Sequence, residues 1–204
     1  MRQLAILGAS GHGKVVAELA ELLGYQCVFF DDAWPELTSN GHWPVVGKTA
    51  SMLKRRLEFS GAAVAIGNNR IRQNKLIQLH EAGFDLPALI HPQAVVSRYA
   101  TLGKGTVVFA GAVLNADARL DSGVILNTGC TVDHDCQLAD AVHISPGANL
   151  AGAVKVGERS WLGIGCSVRQ LISIGEDVVV GAGAVVVNDV PAGQTVVGVP
   201  ARCK

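Results

Sequence analysis

Aromatic side chains make up only 5% of the 204 residues, and neither sign of charge is in excess: seventeen Lys and Arg stand against seventeen Asp and Glu. That balance removes the bulk attraction that draws a protein to nucleic acid or to an anionic membrane. The apolar runs are short and broken by glycine, so none is expected to insert in a bilayer. The five cysteines, Cys27, Cys130, Cys136, Cys166 and Cys203, include no CxxC pair, which points away from zinc and from a redox motif, so no metal is expected. Their odd number, with no signal-peptide pattern after Met1, leads to the expectation of a reducing, cytoplasmic setting. What is abundant is glycine, 24 residues in a chain that is 49% hydrophobic. Much glycine with few aromatics favours repetitive β-structure with many tight corners over a helical bundle.

The first ninety residues alternate strand and helix patterns. Residues 2–7 (RQLAIL) read as a buried strand, and 14–23 (KVVAELAELL) carry helical periodicity up to Gly24. A second strand over 26–30 ends at Asp31-Asp32. A short strand near Val45-Val46, a helix around 48–57, a strand over 62–66, a helix around 70–82 and a last strand near 86–90 complete the series. Such alternation predicts a small parallel sheet, with a domain boundary at His91-Pro92. Between the first strand and helix lies Gly8-Ala9-Ser10-Gly11-His12-Gly13. A GxxGxG turn there either is simply tight or cradles phosphate on the N–H groups of a helix N-terminus. The segment is short for a full dinucleotide fold, which weakens the case for an NAD-dependent oxidoreductase.

From Val96 to Val186 every sixth residue is Val, Leu or Ile, without a slip over sixteen positions. At a chance of roughly one in three per site, this run arises by accident about once in 10⁷–10⁸ trials. The residue four places later is mostly small or β-branched, as at Ala112, Cys130, Cys136 and Ala148. A period of six fits neither an α-helix nor an alternating strand; it predicts a solenoid of short flat faces and regular corners. The cysteines in this run then read as small core residues rather than reactive thiols.

Among six histidines, His134 is set apart by its flanking carboxylates, Asp133 and Asp135. It falls at the third position of its hexapeptide, at or near a corner. A carboxylate beside an imidazole fixes its tautomer and raises its basicity. From spacing alone, His134 is equally a solvated surface histidine or a general base.

The repeat resembles the hexapeptide acyltransferases, and the resemblance supplies what spacing does not: a left-handed hand and three hexapeptides per triangular coil. Ninety residues then make five coils, about 24 Å tall at roughly 4.8 Å per layer. GASGHGKVVAE (8–18), Asp31-Asp32, AIGNNRIRQ (65–73), HPQAVVS (91–97) and NTGCTVDHDC (127–136) occur in one order. Together they resemble the sugar-nucleotide acetyltransferases related to the bacillosamine-pathway and perosamine N-acetyltransferases; sialic acid O-acetyltransferase-like proteins share much of the pattern. The fold so implied is an α/β Rossmann-like N-terminal domain (1–90) that binds a nucleotide-linked amino sugar. A left-handed parallel β-helix (91–204) follows, for acetyl-CoA and catalysis.

By motif match, the resemblance implies that Ser10, Gly11, His12, Asp31, Asp32 and Gly67 contact the sugar nucleotide, with Asn127 as a further polar contact. It makes His134 the base and Asp135 the residue that enhances it, with Asp133 a second candidate to orient it. Residues 18 apart stack, so Gly152 lies one coil above His134, where its N–H is an oxyanion donor. Pro146, Ile164 and Ala182 form another column, and Ile164, Ala182 and His143 match acetyl-CoA contacts. His134 and His143 are half a coil apart and should face different sides of one prism, which leads to the expectation of a homotrimer with shared sites. Trp34 and Trp43 either shape the sugar pocket or pack loops. The implied activity is N-acetylation of a nucleotide-linked deoxy amino sugar, at C4, for surface glycan biosynthesis. The alternatives are O-acetylation of sialic acid or a related sugar, and a non-catalytic sugar-nucleotide-binding protein.

Overall fold

The computed structural model describes residues 2–204, and the chain divides into two units with the boundary between Leu89 and Ile90. In the first unit, β1 (Arg2–Leu7), β2 (Tyr25–Phe30) and β5 (Gly61–Val64) form a parallel sheet in the order β2-β1-β5. The central strand is covered on both faces: Leu4, Ala5, Ile6 and Leu7 are all buried, as a parallel sheet packed on two sides demands. Helix α1 (Gly11–Leu22) follows β1, and α3 (Asn69–Glu81) follows β5. A hairpin of β3 (Ser39–Asn40) and β4 (Trp43–Pro44) leads to α2 (Thr49–Lys54), and a 3-10 turn over Arg56–Glu58 continues the predicted second helix.

Two local expectations differ. Val45-Val46 is not a full strand; Val45 makes a single parallel bridge to Phe29, and Val46 N–H donates to Phe29 O. The predicted strand over 86–90 does not join the three-stranded sheet. Pro87 has no N–H to give a ladder, and extended pairing starts only at Leu89–Ile90, the first rung of a face of the solenoid.

In the second unit, two-residue strands recur every six residues and stack in register every eighteen. A first face runs through Val95, Val113, Thr131, Asn149, Ser167 and Val185, and a second through Thr101, Arg119, Gln137, Lys155 and Ser173. The third runs through Val107, Ile125, His143, Trp161, Val179 and Thr195. The solenoid is thus longer than the repeat alone implies: Leu89–Ile90 begins the third face, and Thr195–Val197 closes it. The last layer is two residues short, since Thr195 pairs with Val179 sixteen positions earlier. An antiparallel strand, Arg202–Cys203, covers that final edge.

Leu114, Val132, Leu150, Val168 and Val186 fill the interior, with Cys130, Cys136 and Cys166 packed among them. Burial pushes the Cys130 thiol up to about 12 and Cys166 up to about 11, so neither is a nucleophile at neutral pH. Among the described residues no helix is long and apolar enough to cross a membrane, and no group of three His, Cys, Asp or Glu could hold a metal ion.

Candidate active site

The corners repeat one backbone device. From Gly105 to Gly183 the residue at every sixth position has a left-handed φ: glycine at 111, 129 and 147, for example, but Asp117, Asp135 and Ala153 on the corner between the first and second faces. Aspartate tolerates this conformation better than most side chains. At Asp135, φ is 60°, and the carboxylate turns back onto the preceding residue: His134 Nδ1 lies 2.7 Å from Asp135 Oδ2. Donation from Nδ1–H leaves Nε2 as the free basic nitrogen. The hydrogen bond to Asp135, then the charge of Asp133, raise the His134 pKa above its ordinary value. The side chain is exposed, at 60%, so incoming groups can reach it.

The ring holds this position against the next coil only because residue 152 is glycine. A β-carbon there would lie 2.6 Å from both Cε1 and Nε2 of His134. Ala153 N–H donates to His134 O at 2.8 Å and Leu171 N–H to Gly152 O at 3.0 Å, which locks the column. Among the described residues the Gly152 N–H has no hydrogen-bond partner, so a donor on the residue stacked against the His134 ring is available to an outside oxygen.

His143 sits on the third face, across the prism from the His134 corner. Its Nε2 is 3.3 Å from Asn127 Nδ2, so these two predicted residues meet. The imidazole also stacks on Trp161, the residue one coil on, with planes 12° apart and centroids at 5.9 Å. Trp161 Nε1 donates to Ser145 Oγ at 2.7 Å. Ile164 and Ala182 fall on the corner after this face; Gly183 N–H donates to Ile164 O, and Gly165 N–H to Pro146 O. Ile164 is 63% exposed, giving the corner an apolar edge. His134, Asp135 and Gly152 are therefore one cluster, and Asn127, His143 and Ile164 belong to another side of the same prism.

In the first unit a cavity of about 320 Å³ is lined by Gly8, Ser10, Asp31, Asp32, Thr49, Gly67 and Lys75, among others. Four of the six predicted sugar-nucleotide residues line it. Gly11 opens α1, where a β-carbon would meet open space, and Gly13 lets the helix close onto the sheet, since a β-carbon would lie 2.6 Å from Gly8 O. Ser10 caps α1 without a side-chain bond. Asp31 holds the loop, accepting from Ala9 N–H at 2.8 Å and Ala33 N–H at 2.9 Å. Asp32 accepts from Thr49 N–H at the start of α2 and faces Lys75 Nζ at 3.8 Å. His12 is not in the lining; burial and then the charge of Arg72 lower its pKa to about 4.

Sequence reasoning missed Lys75 and Arg72. Arg72 is 1% exposed and donates to Ile66 O, Gly67 O and Asn69 Oδ1, fixing the loop that carries Gly67. A signal existed, because Arg72 shares the buried face of α3 with Leu76 and Leu79, the i, i+4, i+7 stripe that apolar residues normally fill. Trp43 is buried, bonds Glu21 and packs edge-on against Phe29; neither it nor Trp34 lines the cavity.

The model of the PglD N-terminal domain family matches residues 3–79. Among solved structures, the chain is similar to the acetyltransferase domain of PglB from Neisseria gonorrhoeae, in complex with acetyl coenzyme A. Identity is 49% over 100% of this chain and 99% of that one, with a TM-score of 0.96. It is also similar to a histidine-to-asparagine variant of perosamine N-acetyltransferase from Caulobacter crescentus, in complex with CoA and GDP-perosamine: 42% identity, 100% and 97% coverage, TM-score 0.96. A curated relative, the UDP-N-acetylbacillosamine N-acetyltransferase of Bacillus subtilis, is 39% identical over 113 residues. That match spans 54% of this chain and about half, 52%, of the relative's length. The solenoid is accordingly the left-handed β-helix of these acetyltransferases.

Proposed function

The chain belongs to the hexapeptide-repeat sugar-nucleotide acetyltransferase family of the bacillosamine-pathway and perosamine enzymes, and from that membership we propose that it transfers acetyl from acetyl-CoA to the amino group, at C4, of a nucleotide-linked deoxy amino sugar. It is an acyltransferase whose product feeds surface glycan synthesis, working as a homotrimer in the cytoplasm. The observation that carries the reading is His134, oriented by Asp135 at 2.7 Å and stacked against Gly152.

The sugar amine attacks the thioester carbonyl carbon, forming the C–N bond. His134 Nε2 takes the proton that the nitrogen sheds. The carbonyl oxygen gains charge and accepts from the Gly152 N–H. As the tetrahedral intermediate collapses, the C–S bond breaks, and the protonated His134 returns its proton to the departing CoA sulfur. No covalent enzyme intermediate is needed, because the thioester is already activated. The cavity of the first unit holds the nucleotide: the α1 N-terminus and Lys75 suit phosphate, and Asp31 and Asp32 keep its rim in place. His143 and the Ile164–Ala182 corner take the pantetheine arm and its neighbours, and Asn127, beside His143, is a polar contact to the sugar substrate. Since His134 and the His143 side of one prism face apart, one site draws on two chains.

Incubation with acetyl-CoA and UDP-, GDP- and dTDP-linked 4-amino sugars should release free CoA. Silence across the panel with turnover of free sialic acid would mean O-acetylation; binding without any turnover would mean a non-catalytic protein. Mixed trimers of His134→Ala and His143→Ala chains should regain part of the activity, and no recovery would count against shared sites.

A further inference from the structure

One coil below His134, Asn115 stacks under Asp133 on the first face. Asn115 Nδ2 donates to Asp133 Oδ1 at 2.8 Å, and the same oxygen accepts the backbone N–H of His134 at 2.8 Å. We propose that Asn115 is a positioning residue for His134, acting through Asp133 across two coils. This rests on the reading of His134 as the base.

The physical case is one of freedom removed. An exposed corner histidine has little packing to hold it, and its peptide plane decides where Nε2 points. The Asp133 carboxylate can fix that plane only if it holds one rotamer itself. Free in solvent, an aspartate samples several; the Asn115 amide selects the one that meets the His134 N–H. Asp135 then sets the ring's tautomer, and Gly152 leaves room for it. The titratable groups around His134 are Asp133 and Asp135 on its own corner and Asp117 in the coil below; the coil above brings Ala151, Gly152 and Ala153, which carry none. Asp133 also acts through charge: its hydrogen bonds hold its carboxyl below the usual range, and its charge favours protonated His134.

The same face supplies a control. Thr131 Oγ1 donates to Asn149 Oδ1 at 2.8 Å, an equivalent rung with no link to His134. Asn115→Leu should lower kcat about tenfold, leave KM for both substrates unchanged and move the acid limb of kcat/KM to lower pH. Thr131→Val should change none of these. The double variant Asn115→Leu/Asp133→Ala should match Asp133→Ala alone, because the two residues act as one unit. Wild-type kcat and pH limb in Asn115→Leu, or additive losses in the double variant, would overturn the proposal. If His134→Ala keeps the wild-type rate, the base assignment fails; if His134→Ala is inactive and Asn115→Leu is normal, only the relay fails.

Discussion

The imidazole of His134 and the α-carbon of Gly152 occupy adjacent coils so closely that no side chain fits between them: an added β-carbon would stand 2.6 Å from Nε2. The neighbour is a ring on an exposed corner, so it would yield by rotating away from its bond to Asp135. Gly152→Ala should therefore cut kcat/KM by about 100-fold while the thermal midpoint stays near wild type. The check is kinetics beside a melting curve. Normal turnover in a folded Gly152→Ala protein would show that this ring position does not matter.

The His134–Asp135 bond predicts a pH limb. The base works unprotonated, and its pKa is raised by Asp135 and Asp133, so kcat/KM should climb through a limb above pH 6.5, the ordinary value. Asp135→Asn keeps a side chain that tolerates a left-handed backbone but removes the charge, so the limb should move down and the rate above it should fall. On stability the sign is opposite: a raised histidine pKa stabilises the fold below the unfolded value, and this is lost as pH rises through the folded one. With the pair open to solvent, that stability effect should be small.

Arg72 makes a separable prediction for the other unit. Replacing it with Met removes the donors to Ile66 O, Gly67 O and Asn69 Oδ1 at a site 1% exposed. Losing hydrogen bonds from a charged donor to these part-buried acceptors costs about 1.5–3 kcal/mol. The Gly67 loop should loosen, raising KM for the sugar nucleotide with KM for acetyl-CoA unchanged. Denaturant unfolding and the two KM values test this together, and equal rises in both would contradict it.

How much of this was legible beforehand follows from where the information lies. The six-residue period is local and repeated, so Val96 through Val186 gave the register, and the three-hexapeptide coil implied by the resemblance then stacked Gly152 on His134. The solenoid's ends were not legible, because Leu89–Ile90 pairs like a rung before the repeat begins and the last layer drops two residues. The Asp135 contact was anticipated from adjacency, but its left-handed backbone was not. Asn115 and Lys75 stayed hidden because each acts on residues brought near by stacking or by sheet topology and neither belongs to a motif; Arg72 lies within AIGNNRIRQ, but its bonds to Ile66 O, Gly67 O and Asn69 Oδ1 depend on the shape of the loop before α3.

His12 offers the last test, through acid stability. Burial first, and the Arg72 charge second, lower its pKa from 6.5 to about 4, so it is neutral in the folded protein at neutral pH. Between these values the unfolded chain binds the proton and the folded one does not. Stability should thus fall as pH drops from about 6.5, with the loss complete below about 4, and on the order of 3 kcal/mol is at stake. His12→Gln cannot titrate, so it should flatten this slope whatever it does to the midpoint at neutral pH. Urea unfolding of both proteins at pH 7, 6, 5 and 4, followed by a probe in the first unit such as Trp43 fluorescence, measures the two slopes. Parallel slopes would mean that His12 is protonated in the folded state at pH 5, and that the loop after β1 opens to water more readily than its burial implies.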